Sequence, residues 1–213
     1  MQPRPRIAVL DYGIGNLRSA QKALARVGAD AELTADPVEV AAADGVVLPG
    51  VGAFGRCAEA LRAAGLESVV HDAVASGRPF LGICIGMQLL YEASEESPGV
   101  AGLGVLPGTV RLLTGDVKRP QMQWNTLAVH RPSPLLAELP HPAWVYFVHS
   151  YAAADPASPD VVATCDYGGP VVAAVERGNV AATQFHPEKS GANGLRVLGG
   201  FVGRCGARAA AAS

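Results

Sequence analysis

Gly82-Ile83-Cys84-Ile85-Gly86 follows directly on the apolar run Pro79-Phe80-Leu81. It has the form of a G-x-[nucleophile]-x-G turn, in which a strand bends sharply into a helix. Small residues two before and two after the turning residue keep the two elements from colliding. The central side chain then stands clear in a strained backbone position. The stretch predicts a strand over residues 79–83 and a helix through Met87-Gln88-Leu89-Leu90-Tyr91, with the Cys84 sulfur at the positive end of that helix. A helix N-terminus and a neighbouring imidazole are settings that favour the thiolate, the form of cysteine that attacks. The pentapeptide alone also fits a small buried cysteine at a tight junction, because free cysteines are commonly buried.

Around this turn, short apolar runs alternate with helical stretches. Residues 7–10, 31–34 and 45–48 read as strands, and 16–27, 54–64 and 66–75 as helices with apolar positions at helical spacing. Such alternation implies a mostly parallel α/β sheet flanked by helices on both faces. In such sheets the ligand crevice lies beyond the carboxyl ends of the strands. Asp11-Tyr12-Gly13, Pro49-Gly50-Val51-Gly52 and Cys84 all follow strands and should meet there. From about residue 104 to 183 the pattern changes to strands and turns, over 105–106, 110–113, 127–129, 144–148, 161–165, 171–175 and 180–183. These read as an antiparallel extension of the same domain. A helix over 194–205 closes the pattern, and the Ala-rich tail 207–213 is expected to fray.

Composition narrows the class. The chain has 213 residues, 49% hydrophobic and 17% charged, enough for a substantial core in one domain spanning 1–213. A net charge of −2 with no basic run argues against a nucleic-acid surface. The basic start Met1-Gln2-Pro3-Arg4-Pro5-Arg6 precedes only four apolar residues, too few for a signal peptide, and no stretch reaches membrane-spanning length. The expected location is cytoplasmic, where Cys57, Cys84, Cys165 and Cys205 stay reduced. Their spacing suits neither a zinc site nor a disulfide framework, so no metal is expected. Cys57, Cys165 and Cys205 read as core fillers.

Gln184-Phe185-His186-Pro187-Glu188 supplies partners for Cys84. Proline pushes the residue before it to an extended conformation, so His186 and Glu188, two apart, can project to one side. A carboxylate beside imidazole sets its tautomer and leaves the other ring nitrogen for a thiol. The amide of Ile85 and an amide of the Pro49-Gly50-Val51-Gly52 loop are candidate donors for an oxyanion. The loop glycines allow backbone conformations closed to other residues.

At these residues the chain resembles the class I, triad-type glutamine amidotransferases, most closely the glutaminase subunits of imidazole glycerol phosphate synthase. The broader likeness rests on Gly82–Gln88 and His186-Pro187-Glu188. The narrower rests on Asp11-Tyr12-Gly13-Ile14-Gly15-Asn16-Leu17, Pro49-Gly50-Val51-Gly52-Ala53-Phe54, Phe147-Val148-His149-Ser150-Tyr151 and Gln184–Gly191. The resemblance implies that His186, oriented by Glu188, activates Cys84 for attack on the side-chain amide of glutamine. It implies an oxyanion hole from Val51, Gly52 and Ile85, and glutamine binding by Gly52, Gln88, Glu96, Ser150 and Tyr151. No cofactor is implied. Ammonia would pass to a (β/α)₈-barrel cyclase subunit in histidine biosynthesis, across a surface lined by Asn16, Met122, Trp124, Asn125, Tyr146 and Lys189. The chain departs from the family at Gln123, where glycine is usual, and at Gln121, often histidine; both fall near that expected surface. His71, His130 and His141 read as surface residues, and His149 as mattering through its neighbours' backbone. Three other readings remain at this point: a glutaminase for another synthase, a stand-alone γ-glutamyl cysteine hydrolase, and a catalytically idle binding subunit.

Overall fold

The first half folds as β1 (Arg6–Leu10), α1 (Leu17–Arg26), β2 (Asp30–Thr34), α2 (Pro37–Ala42), β3 (Gly45–Gly50), α3 (Phe54–Ala63), α4 (Leu66–Ala75), β4 (Phe80–Cys84) and α5 (Ile85–Leu89). The second half adds β5 (Ala93–Ser94), β6 (Thr109–Leu112), β7 (Gln121–Thr126), β8 (Ala128–Val129), β9 (Trp144–His149), β10 (Tyr151–Ala153), β11 (Val161–Asp166), β12 (Pro170–Arg177) and β13 (Val180–Thr183). A 3₁₀ turn (Pro187–Lys189) and the long α6 (Gly191–Ala212) follow. This structure is a computed structural model, and it describes residues 4–212. Met1, Gln2 and Pro3 of the basic start, and Ser213 of the tail, lie outside the described residues.

Eight strands form the central sheet in the order β2-β1-β3-β4-β13-β12-β11-β8. From β2 to β13 all pairings are parallel. From β13 outward β12, β11 and β8 run antiparallel, which is the expected extension. β3 and β4 are buried along their whole length, as continuous apolar strands covered on both faces should be. On one face α1 packs with α6; on the other, α2, α3, α4 and α5 form a second layer. Phe54, Phe80, Phe147, Phe185 and Phe201 are the largest side chains wholly buried between them. A three-stranded sheet, β10-β6-β5, and a ribbon, β7-β9, stand beside the main sheet.

Five local expectations are corrected by the structure. α2 is an element that the strand–helix alternation does not predict, although Asp36 caps it through Val38 N (2.8 Å) with Pro37 at the first helical position. Residues 105–106 form no strand; Leu106 is buried, but its amide turns back to the Leu90 carbonyl (2.8 Å). β7 is a strand despite its polar sequence, because β9 pairs with it from Gln121 to Thr126. α5 stops at Leu89, so few peptide dipoles align behind Cys84. The tail is helical to Ala212: alanine is the strongest helix former, and Arg208 donates to the Ser76 carbonyl (3.3 Å).

Candidate active site

Cys84 takes φ 54° and ψ −110°, and it is the one non-glycine residue of positive φ among the described residues. A side chain held there is strained unless its surroundings impose it. The surroundings are glycines. A Cβ on Gly82 would lie 2.8 Å from the Gly86 carbonyl oxygen, and one on Gly86 would run into the carbonyl of Leu48 on β3. A Cβ on Gly50 would meet the Tyr12 hydroxyl at 2.7 Å and Ile85 at 2.9 Å. The glycines thus let β3, β4 and the elbow approach at backbone contact.

Sheet order does the rest. β4 sits between β3 and β13, with Gly50 opposite Cys84 and Thr183 opposite Ile83. The loop after β3 carries Val51 and Gly52, and the segment after β13 carries His186 and Glu188. All three strand ends therefore meet at one edge.

His186 Nδ1 donates to Glu188 Oε1 at 2.7 Å, with both side chains 2% exposed. His186 itself is extended, but the pair forms because the 3₁₀ turn folds Glu188 back, rather than through an extended segment. Asn16 Nδ2 also donates to Glu188 Oε1, at 3.4 Å. Nε2 of His186 makes no hydrogen bond within the protein, and the ring lines the same cavity as Cys84. The ring is within reach of the sulfur without being locked to it. Burial opposes the imidazolium; Cys84 first and Glu188 second outweigh it and push His186 up to about 9.

That shift carries a sign. A histidine raised above its ordinary value near 6.5 stabilises the fold below that pH, and the contribution disappears as pH rises through about 9. Wild-type stability, read by urea titration, should therefore decline between pH 6.5 and 9. Glu188→Gln should flatten that decline; an unchanged slope would mean that Glu188 does not hold the imidazolium.

These groups open on a cavity of about 540 Å³. Val51, Gly52, Ile85, Gln88, Glu96, Ser150 and Tyr151 line it with Cys84 and His186, as do Asn16 and Lys189. Gly52 has φ 98°, a conformation glycine adopts freely. The loop is pinned at two carbonyls: the Tyr12 hydroxyl donates to Pro49 O (2.7 Å), and the Cys57 thiol to Val51 O (3.3 Å). One oxygen of Glu96 accepts from Phe54 N at the start of α3 (2.8 Å). Gln88 lines the cavity with its Oε1 unpaired within the protein. Its amide donates to the Tyr151 carbonyl (2.9 Å) and to Gln184 Oε1 (3.0 Å), so its donors are spent within the protein.

The expected partner surface divides. Met122 and Trp124 are exposed on β7, and Trp124 meets Tyr146 of β9 edge to face at 6.0 Å. Asn125, one residue on, points to the other side and donates to the Asp166 carbonyl (2.9 Å). Gln121 is fully buried and donates to Cys165 Sγ (3.6 Å), away from any surface, whereas Gln123 is exposed.

Sequence reasoning assigns no role to Tyr12, Cys57 or Gln184. Gln184 donates to Cys84 Sγ at 3.7 Å, and a signal for it exists: it lies two before His186 in an extended stretch. Cys57 is six residues from Val51, so the start of α3 folds its thiol back onto the loop that precedes the helix. His149, buried and neutral, is lowered to about 4 by burial, with Nδ1 on the Tyr151 carbonyl (2.9 Å).

A strained cysteine elbow beside a buried His–Glu pair, on a doubly covered parallel sheet, is the arrangement of triad amidotransferases. The chain matches the family model for glutamine amidotransferase class-I over residues 8–202. It is 49% identical over 202 residues to the imidazole glycerol phosphate synthase subunit HisH of Syntrophotalea carbinolica, covering 92% of this chain and 98% of that one. It is 50% identical over 196 residues to the protein of the same name from Methanothermobacter thermautotrophicus, covering 92% and 97%. Among solved structures, that of PurLQS from Thermotoga maritima holds a chain of the same fold, with TM-score 0.75, 21% identity, and 94% of this chain and 98% of that one covered. The chain belongs to the class I glutamine amidotransferases and, within them, to the HisH subunits of imidazole glycerol phosphate synthase.

Proposed function

We propose that this chain hydrolyses glutamine through Cys84, His186 and Glu188 and hands the ammonia to a partner subunit. The observation that carries this reading is the strained Cys84 elbow facing a His186 ring whose far nitrogen is already held by Glu188 at 2.7 Å. His186 Nε2 takes the thiol proton, and the sulfur attacks the carboxamide carbon of glutamine. The amides of Ile85 and of Val51 or Gly52 receive the oxyanion. The C–N bond breaks as His186 returns the proton to the leaving nitrogen, so ammonia departs and a γ-glutamyl thioester remains. Water, deprotonated by His186, cleaves the thioester to glutamate and restores the thiol.

Glutamine recognition falls to Glu96, whose second oxygen is available to an α-ammonium group, and to backbone groups of Gly52, Ser150 and Tyr151. Gln88 orients the site rather than contacting the head group through its amide donors. The partner is a (β/α)₈-barrel cyclase that uses the ammonia to make imidazole glycerol phosphate and AICAR for histidine. Met122, Trp124, Tyr146, Lys189 and Asn16 face it, while Asn125 braces the ribbon from behind. The chain acts as one amidotransferase domain in the cytoplasm, without metal or cofactor. No helix among the described residues is long and apolar enough to cross a membrane.

A glutamine-analogue electrophile, such as a γ-position chloroketone, tests the reading. It should attach to Cys84 alone among the four cysteines, and free glutamine should protect. Labelling spread over all four, or unaffected by glutamine, would count against a glutamine site here.

A further inference from the structure

Three side chains form a line from the Ser150–Tyr151 segment to the nucleophile. Gln88 Nε2 donates to the Tyr151 carbonyl (2.9 Å) and to Gln184 Oε1 (3.0 Å), and Gln184 Nε2 donates to Cys84 Sγ (3.7 Å). Gln184 is wholly buried and Gln88 is 1% exposed, so water does not supply alternatives. The direction of the line is forced. The Tyr151 carbonyl can only accept, which turns the Gln88 nitrogen toward it and toward Gln184. Gln184 must then present its oxygen to Gln88 and its nitrogen to the sulfur. Turning either amide over would set acceptor against acceptor or donor against donor in a dry interior.

We infer that Gln184 is a further catalytic residue, whose amide hydrogen bonds to the Cys84 sulfur and stabilises the negative charge that forms there when His186 removes the proton. Gln88 is the positioning residue that holds this donor in place. The inference rests on Cys84 being the nucleophile. Its placement follows from the sheet: Gln184 leaves the end of β13 beside β4, with its own amide bonded to Ala173 O (2.8 Å) on β12. The donor is therefore carried by the central sheet and is present before substrate arrives. Its partner carbonyl, at Tyr151, opens β10 in the Ser150–Tyr151 segment proposed to hold glutamine. Displacement of that segment would release Gln88, and Gln88 would release Gln184. The sulfur thereby senses whether the substrate segment is in place.

The test is the rate at which iodoacetamide alkylates Cys84 in the full-length chain, followed by mass spectrometry of the Cys84 peptide across pH. Gln184→Leu keeps the bulk and removes the donor. Alkylation at pH 7 should fall about tenfold, the scale of a lost hydrogen bond to a charged group. The deficit should close as pH rises, because hydroxide then removes the thiol proton unaided. A deficit equal at every pH would indicate altered access rather than a lost donor, and an unchanged rate would mean the contact is idle; either overturns the inference. If Gln184→Leu does not fold, Gln88→Leu frees the Gln184 amide to turn and should give the same pH-dependent deficit, about threefold; no deficit again overturns it. Glutamine hydrolysis by the wild-type chain with its partner is measured alongside. Its absence would remove the proposed function, while the alkylation comparison would still report on the amide and sulfur.

Discussion

Cys84→Ala is expected to lower glutamine-dependent turnover by about 10⁴-fold or more, the scale seen when a nucleophile that works as part of a triad is removed. The site offers no substitute. Cys57, Cys165 and Cys205 are wholly buried, and the nearest of them to the Val51–Gly52 loop, Cys57, is committed to the Val51 carbonyl. The alanine variant should still fold, because it removes one sulfur from a small buried position. The complex with its partner should keep synthesis from added ammonium salt, since ammonia then bypasses Cys84. The measurement is product formation with glutamine and with ammonium, on the same preparation. Loss of both would place the two chemistries in one site and contradict delivery from a separate glutaminase.

Gly86→Ala carries the second large effect, and on folding rather than chemistry. The added Cβ would enter the Leu48 carbonyl of β3, and β3 is a fully buried central strand. No side chain can rotate aside, because the obstacle is backbone. The elbow or the strand must move, at a cost on the order of 4 kcal/mol, the range of severe core disruption. For a chain of this size that is a fall of about 10 °C in Tm. Gly203→Ala, in α6 with nothing within 4 Å of its Cβ, is the matched control and should be neutral or slightly stabilising. Thermal melts of the two variants should diverge widely. Similar melting for both would show that the elbow tolerates a methyl group and that the glycine spacing has another cause.

Much of the site is legible in the sequence because its chemistry is local. The G-x-C-x-G spacing states a steric need, and the structure meets it with glycine contacts at Leu48 and at Gly82–Gly86. His186 and Glu188 pair as their spacing suggests, although a 3₁₀ turn joins them where extended chain is expected. The inner parallel strands β1, β3 and β4 are readable as apolar runs; β7 is not, because its pairing with β9 overrides a polar sequence. Contacts made across elements lie beyond the reach of sequence. The Tyr12 pin on the Pro49 carbonyl, the Gln88–Gln184 line and the inward turn of Gln121 all depend on which element lies opposite. The Ala-rich tail departs from expectation partly for the opposite reason: alanine's intrinsic propensity carries the helix to Ala212, with Arg208 anchored on the Ser76 carbonyl.

The position of β13 has a consequence for how the protein is born. It is the last strand in the chain, yet it sits in the middle of the sheet, between β4 and β12. A nascent chain that has emerged as far as α5 already carries the elbow and its thiol, but not His186. Strand insertion at the centre requires closing a loop that spans most of the second half, a slow, late event in folding. Until it occurs the ribosome-bound or prematurely terminated product holds an idle sulfur. If His186 serves Cys84 as proposed, incomplete chains release no ammonia, and topology alone imposes that order.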